Sequence, residues 1–210
     1  IAAYVALMIF MTGWFTTSRA QQVAPSSPPG FSWLITLEAP DQVRALLESH
    51  LDIYRYRNRP EIDALALERL VENVRIDASR LLATEGYFSP QIETTQTTSA
   101  TGQVVGIRVQ PGEPARIAAV ALDITGAIAD DAEEATRITQ SRKQWRLPVN
   151  ARFRQSAWGE AKDALLNSLL LDGYPTARIT DSEASVDPGA ASVALKVQID
   201  SGPLFHFGAV

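Results

Sequence analysis

The chain has 210 residues, 46% of them hydrophobic and 20% charged, which suits one medium domain or two small ones and is too apolar for a disordered chain. Its 19 basic and 24 acidic residues leave a net charge of −5, with no basic stripe to hold a phosphate backbone, so nucleic-acid binding has no support. There is no cysteine, which excludes disulfides and thiolate metal sites.

Ile1 to Phe15 is apolar throughout, and Ser18 and Ala20 supply small residues at the −3 and −1 positions of a cleavage site before the polar Gln21 and Gln22. Residues 1–20 therefore read as a signal peptide lacking its Met and basic start. The alternative is an uncleaved anchor, although the apolar run is shorter than the roughly 20 residues a bilayer requires. Residues 21–30 (QQVAPSSPPG) form a flexible linker.

The first unit is expected over 31–113. Phe31 to Leu37 is aromatic and β-branched, a strand. Asp41 is placed to cap a helix whose apolar face runs through Val43, Leu46, Leu47, His50 and Tyr54. After the basic turn Arg55–Pro60, a longer helix is predicted from Asp63 to Thr84. Leu67, Leu70, Val71, Val74, Ala78 and Leu81 form its stripe. Gly86 ends it, because a helix C-terminus often needs a left-handed residue that glycine reaches without a Cβ clash. Tyr87–Thr95 and Val104–Gln110 then make a hairpin, and Gly112 links to the next strand.

The second unit, 114–201, repeats that order. A strand over Ile117–Ile124 stops at Thr125-Gly126. A short helix covers Asp131–Ile138, and Gln140–Asn150 is a long basic loop. A second helix spans Phe153–Leu171 with Ala157, Ala161, Leu165 and Leu169 inward, and Pro175 blocks its extension. Arg178–Val186 and Ser192–Ile199 close the unit around the turn Asp187–Ala190. Residues 202–210, starting Gly202-Pro203, open a strand of a third unit that is cut short.

Two landmarks recur. The acidic–Gly–Tyr triplet appears as Glu85-Gly86-Tyr87 and as Asp172-Gly173-Tyr174, and Gly112 is matched by Gly202. Near-equal offsets argue for tandem units of roughly 85 to 90 residues. Gly86, Tyr87, Gly112, Gly126, Gly173, Tyr174, Pro175, Gly202 and Pro203 are assigned to structural turns. The tyrosines are expected to pack beneath the sheet.

Each unit should have an open sheet edge, able to take an extended peptide as an added strand through its free backbone groups. Thr94, Thr95 and Thr97 mark a polar, β-favouring edge without bulky side chains, and Arg178–Val186 offers another. Arg142, Lys143, Trp145 and Arg146 place an aromatic among charges in the long loop, suited to an acidic partner surface or lipid head groups. For both features the competing reading is a plain solvated edge or loop. Catalysis has no support. His50 and His206 lie far apart in sequence, the acidic Asp130–Glu134 run sits at a helix start, and there is no phosphate loop, nucleophile elbow or calcium loop. No cofactor is implied.

The β-α-α-β-β order, its tandem repetition and the Gly-Tyr after each second helix resemble POTRA domains of the Omp85 superfamily. Leu81–Pro90, Trp158–Ala177, Ala184–Pro188 and Asp200–Val210 are the most similar to the TamA family, the outer-membrane subunits of the translocation and assembly module. That resemblance implies an α+β fold with a three-stranded mixed sheet on two helices in each unit. It also implies a place on the periplasmic face of the outer membrane, and an inner-membrane-anchored partner of the TamB type. Unfolded outer-membrane clients such as autotransporters, and an attached C-terminal β-barrel, belong to the same implication. BamA-like factors and two-partner secretion transporters share the module, and a barrel-less periplasmic scaffold is the other class left open.

Overall fold

Two three-stranded sheets, ordered β1-β3-β2 and β4-β6-β5, divide the described chain into two units of the expected kind. The computed structural model describes residues 33–205, apart from Asn58, Thr101, 130–135, 137, 138, 140–142 and 144. The signal and linker readings, and positions 206–210 of the strand expected over 202–210, lie outside these residues; the described part, 202–205, is not strand. The described residues belong to one compact body.

In the first unit the elements are β1 (Trp33–Glu38), α1 (Asp41–His50), α2 (Asp52–Arg55), α3 (Ala64–Thr84), β2 (Gln91–Ser99) and β3 (Gly102–Gln110). β1 runs parallel to β3 and β2 antiparallel to it, so the sheet is mixed. Alternation turns Trp33, Ile35 and Leu37 toward the helices, with Ile35 beside Val105 and Leu37 beside Ile107 of β3, and Val109 on the same face. From α3, Leu67, Val74, Ala78 and Leu82 close this core. Full burial of each leucine or valine among them contributes about 1.5–3 kcal/mol.

The sequence reading needs correction at several points here. Pro40, not Asp41, occupies the N-cap of α1, and no side chain caps it. Proline's missing N–H costs nothing there, since helix-start donors are unpaired anyway. The helix also fails to reach Tyr54: Leu51 adopts extended backbone (ψ 131°) and breaks it, which buries Leu51 and Ile53. His50 falls at the broken end and is exposed, its Nδ1 3.0 Å from the Leu46 carbonyl oxygen, rather than on the apolar face. The α3 stripe passes through Leu82, with Leu81 only half-buried. Asp63 does cap α3, accepting from the Ala66 N–H at 2.8 Å. Tyr87 is not strand: the chain leaves the helix, buries Tyr87, and starts β2 at Gln91.

The second unit contains β4 (Arg116–Thr125), a 3-10 turn (Ala127–Ala129), α4 (Gln155–Leu171), β5 (Arg178–Asp187) and β6 (Ser192–Asp200). Thr136, Thr139 and Lys143 are helical, so Lys143 belongs to a helix and not to the expected loop. The register of β4 shifts between Ile117 and Ala119, and that of β5 between Ile179 and Asp181. An extra residue at each bulge flips the alternation. Ile117 is therefore inward from an odd position, while Leu122 and Ile124 are inward from even ones. From α4, Trp158, Ala161, Leu165 and Leu169 are buried, and Ala157 is only partly so. Phe153 precedes the helix and is buried in the core.

Candidate docking edges and the junction between the units

β2 and β5 are outer strands, as the sequence reading expected for both hairpins. The three threonines of β2 do not share a face. Thr94 is half-buried on the helix side opposite Ile107, whereas Thr95 and Thr97 stand on the open face opposite Gly106 and Val104. A Cβ on Gly106 would lie 2.5 Å from Thr95 Oγ1, so the glycine makes room for the threonine. Beside it a charge ladder crosses all three strands. Arg108 Nε donates to Glu38 Oε2 at 2.7 Å, and Arg108 Nη1 lies 3.7 Å from Glu93 Oε2. The hydrogen bond and charge of Arg108 hold the Glu38 carboxyl below the usual carboxylate range, and Glu38 in turn raises Arg108. On this sheet a shallow cleft of about 180 Å³ lies between Thr36, Glu93, Thr95 and Arg108.

On β5 the outward residues are Asp181, Glu183 and Ser185, with Glu183 opposite Lys196. Arg178 donates to Asp200 at 2.6 Å across the strand pair. The opposite edge of this sheet, β4, is partly occupied instead. Asn150 N–H donates to the Ile117 carbonyl at 2.8 Å, and Ile117 N–H to Ala151 at 2.9 Å.

Of the basic residues singled out over 140–150, the helical Lys143 and the loop residue Arg146 are exposed, and Arg142 lies outside the described residues. Trp145 is half-buried. Its ring meets Trp158 edge-on at 5.9 Å, and its Nε1 donates to the Leu147 carbonyl at 2.7 Å. Much of the indole is therefore spent on packing. A groove of about 500 Å³ beside it is lined by Val120, Lys143, Trp145, Pro148 and Val149.

Gly86 and Tyr87 sit at the join of the two units. Gly86 has φ +85°, and a Cβ there would run into the Phe153 carbonyl oxygen, so both conformation and space require glycine. Its own carbonyl accepts from Ala115 N–H at 2.8 Å, and Phe153 N–H donates to the Ala115 carbonyl at 2.9 Å. Arg152 donates to the Glu85 carbonyl at 3.0 Å and places its guanidinium 4.8 Å from the centre of the Tyr87 ring. Arg154 Nε is 3.2 Å from the Glu85 carboxylate, and Phe88 stacks obliquely on Phe153 at 5.8 Å. Tyr87 and Tyr174 are both buried, as expected. Gly126 (φ +92°) packs against Ser201, and Gly112 (φ +77°) against the Ser89 carbonyl. Pro175 and Pro203 are exposed, and Gly173 and Gly202 also have positive φ.

Sequence reasoning did not find Arg152, Phe153 and Arg154 as partners of Glu85–Phe88. The only signal was the basic–aromatic–basic alternation before α4, which says nothing about what it meets. Among the described residues no group of three or more His, Cys, Asp or Glu could hold a metal ion. Nor is any described helix long and apolar enough to cross a membrane.

No family model matches the chain, and no curated protein matches it. Solved structures do. POTRA3-5 of Haemophilus influenzae BamA aligns at 18% identity and a TM-score of 0.38, over 83% of this chain and 67% of that one. BamA from Haemophilus ducreyi lacking POTRA domains 1-3 gives 18% identity and 0.37, over 81% of this chain and 29% of that one. POTRA1-3 of Omp85 from Anabaena gives 16% and 0.34, over 80% and 59%. The chain thus spans less than two thirds of the latter two. These scores describe a similarity and add no weight of their own; the β-α-α-β-β order and the 1-3-2 strand order carry the assignment of architecture. The fold is a tandem POTRA arrangement.

Proposed function

We propose that this chain is a periplasmic protein-binding and positioning module of an outer-membrane assembly or insertion factor, and not an enzyme. The finer reading places it in the TamA family, docking an inner-membrane-anchored TamB-like partner and, by strand-edge pairing, unfolded clients. The observation that supports it is the outer edge of β2, which has no neighbouring strand among the described residues and carries Thr95 and Thr97 in place of large side chains. An extended peptide added there satisfies backbone donors and acceptors whatever its side chains, which suits a partner or client of varied sequence. A BamA-like or two-partner-secretion membership uses the same edge, so the two readings differ in the partner captured and not in the surface.

Site-specific photo-crosslinking of the full-length protein in intact cells tests this. Probes at Thr95, Thr97 and Lys143 are compared with Arg75 on the exposed face of α3. Adducts from the β2 probes to a periplasmic or unfolded outer-membrane protein support docking, and mass spectrometry of the adduct separates a TamB-like partner from other assembly machinery. Adducts no stronger than at Arg75 would leave a spacer that only positions a barrel.

A further inference from the structure

Each sheet has one apolar edge and one polar edge. In the first sheet the outer strands are β1, which reads Trp-Leu-Ile-Thr-Leu-Glu, and the threonine-rich β2. In the second they are β4, with Ile117, Val120, Leu122 and Ile124, and β5, with Asp181 and Glu183 outward. An apolar edge strand carries the greater hazard, because bare backbone groups and β-favouring side chains together invite a second strand. On the open face of β1, Leu34 is 59% exposed.

Both apolar edges are obstructed by groups of their own unit. On β4, Asn150 and Ala151 take up both backbone groups of Ile117. On β1, the half-buried Arg44 reaches back from α1: Nη1 donates to the Leu37 carbonyl at 2.9 Å, and Nη2 to the Ala39 carbonyl at 2.7 Å. Carbonyls two residues apart in extended chain point the same way, and Ala39, before Pro40, is held extended. The β3 backbone lies about 4.8 Å away on one side, so the guanidinium sits on the other, along the outer edge. Near the start of α1 a cation gains nothing from the helix dipole, so the helix gives no reason for an arginine there.

The Leu37 carbonyl is the acceptor that a second β1 would need. By alternation, Trp33, Ile35 and Leu37 turn their backbone groups to the outer edge. An antiparallel pair of two copies centred on Ile35 joins Ile35 to Ile35 and Trp33 to Leu37. It keeps these three side chains of both copies on one face, and Glu38 meets no carboxylate of the other copy. In that register Trp33 N–H of each copy donates to the Leu37 carbonyl of the other, the group that Arg44 holds. Two-fold symmetry applies the obstruction twice.

We propose that Arg44 keeps the β1 edge closed to the β1 of a second copy of this chain, and so leaves strand addition to the polar edges β2 and β5. The last clause rests on edge docking as the mode of partner binding. The closure of β1 does not, and the two fail separately.

The test places a photo-crosslinker at Leu34 of the full-length protein, in cells that carry two differently tagged copies. Arg44→Ala should raise the mixed-tag homodimer adduct roughly tenfold over the parent, since two acceptors are freed in each pair. Val74→Ala loosens the core of the same unit with Arg44 intact, and should leave the adduct near the parental level. No rise with Arg44→Ala, or a rise that Val74→Ala matches, would overturn the proposal. Should Arg44→Ala fail to fold by circular dichroism, Arg44→Gln takes its place under the same criterion, because it keeps much of the stem and loses the fork. A probe at Thr95 reads β2 in parallel. Silence at Thr95 with the expected rise at Leu34 removes edge docking and leaves the closure of β1 standing.

Discussion

The Arg152 guanidinium sits 4.8 Å from the centre of the Tyr87 ring, so a cation of the second unit covers an aromatic of the first. The same side chain donates to the Glu85 carbonyl at 3.0 Å. One residue thereby engages both the last turn of α3 and the tyrosine that follows it. Arg152→Ala should cost about 2 kcal/mol, from the lost cation–π contact and a charge-assisted hydrogen bond that is partly shielded from water. Arg152→Lys should cost less, keeping the charge but losing the planar fork. Urea unfolding gives the magnitude, and faster hydrogen exchange at the Ala115 amide locates it at the junction. A loss confined to other amides would show that Arg152 acts elsewhere.

Two Gly→Ala substitutions should have opposite signs. Gly86→Ala puts a Cβ into a left-handed backbone (φ +85°) and against the Phe153 carbonyl oxygen, a main-chain atom that cannot swing away. A loss of about 3 kcal/mol is expected, combining backbone strain with overpacking. Gly159 lies inside α4, where a Cβ would meet nothing within 4 Å, so Gly159→Ala should stabilise by about 0.5–1 kcal/mol. Thermal unfolding of both variants checks the pair, and a Gly86→Ala protein as stable as the parent would contradict the close approach.

The Glu38–Arg108 pair predicts a pH dependence. Glu38 has a lowered folded-state pKa, chiefly from its hydrogen bond to Arg108 and then from that charge. A depressed carboxylate stabilises above its unfolded pKa, and the contribution disappears as pH falls through the folded one. The stability difference between the parent and Glu38→Gln should therefore be present at neutral pH, shrink as pH drops below the ordinary carboxylate range, and vanish in acid. It should also weaken with salt, because both partners are exposed. Carboxyl NMR of Glu38 reads the titration directly. A midpoint at or above 4.5, the unshifted value, would sink the assignment.

Apolar periodicity made α3 and α4 legible because both carry a stripe wide enough to repeat over several turns. Gly86 and Gly173 were legible as helix ends for a local reason, the steric cost of a left-handed residue with a Cβ. Where the reading missed, a longer-range term decided. Leu51 breaks the first helix because burying Leu51 and Ile53 against α3 outweighs continuing a helix toward Tyr54. The bulges of β4 and β5 are likewise invisible to simple alternation, since each matches its strand to β6 by one extra residue.

By itself, then, the sequence determined the element order, the tandem repeat and the buried tyrosines, all consequences of local backbone preference and of which side chains leave water. The tertiary structure alone decided that Thr94 turns from the edge face, that Trp145 packs on Trp158, and that Arg152 to Arg154 close over Glu85 to Phe88. Those outcomes depend on pairing between residues remote in the chain. Register and the meeting of charges across a junction are properties of two surfaces together, and neither surface alone encodes them.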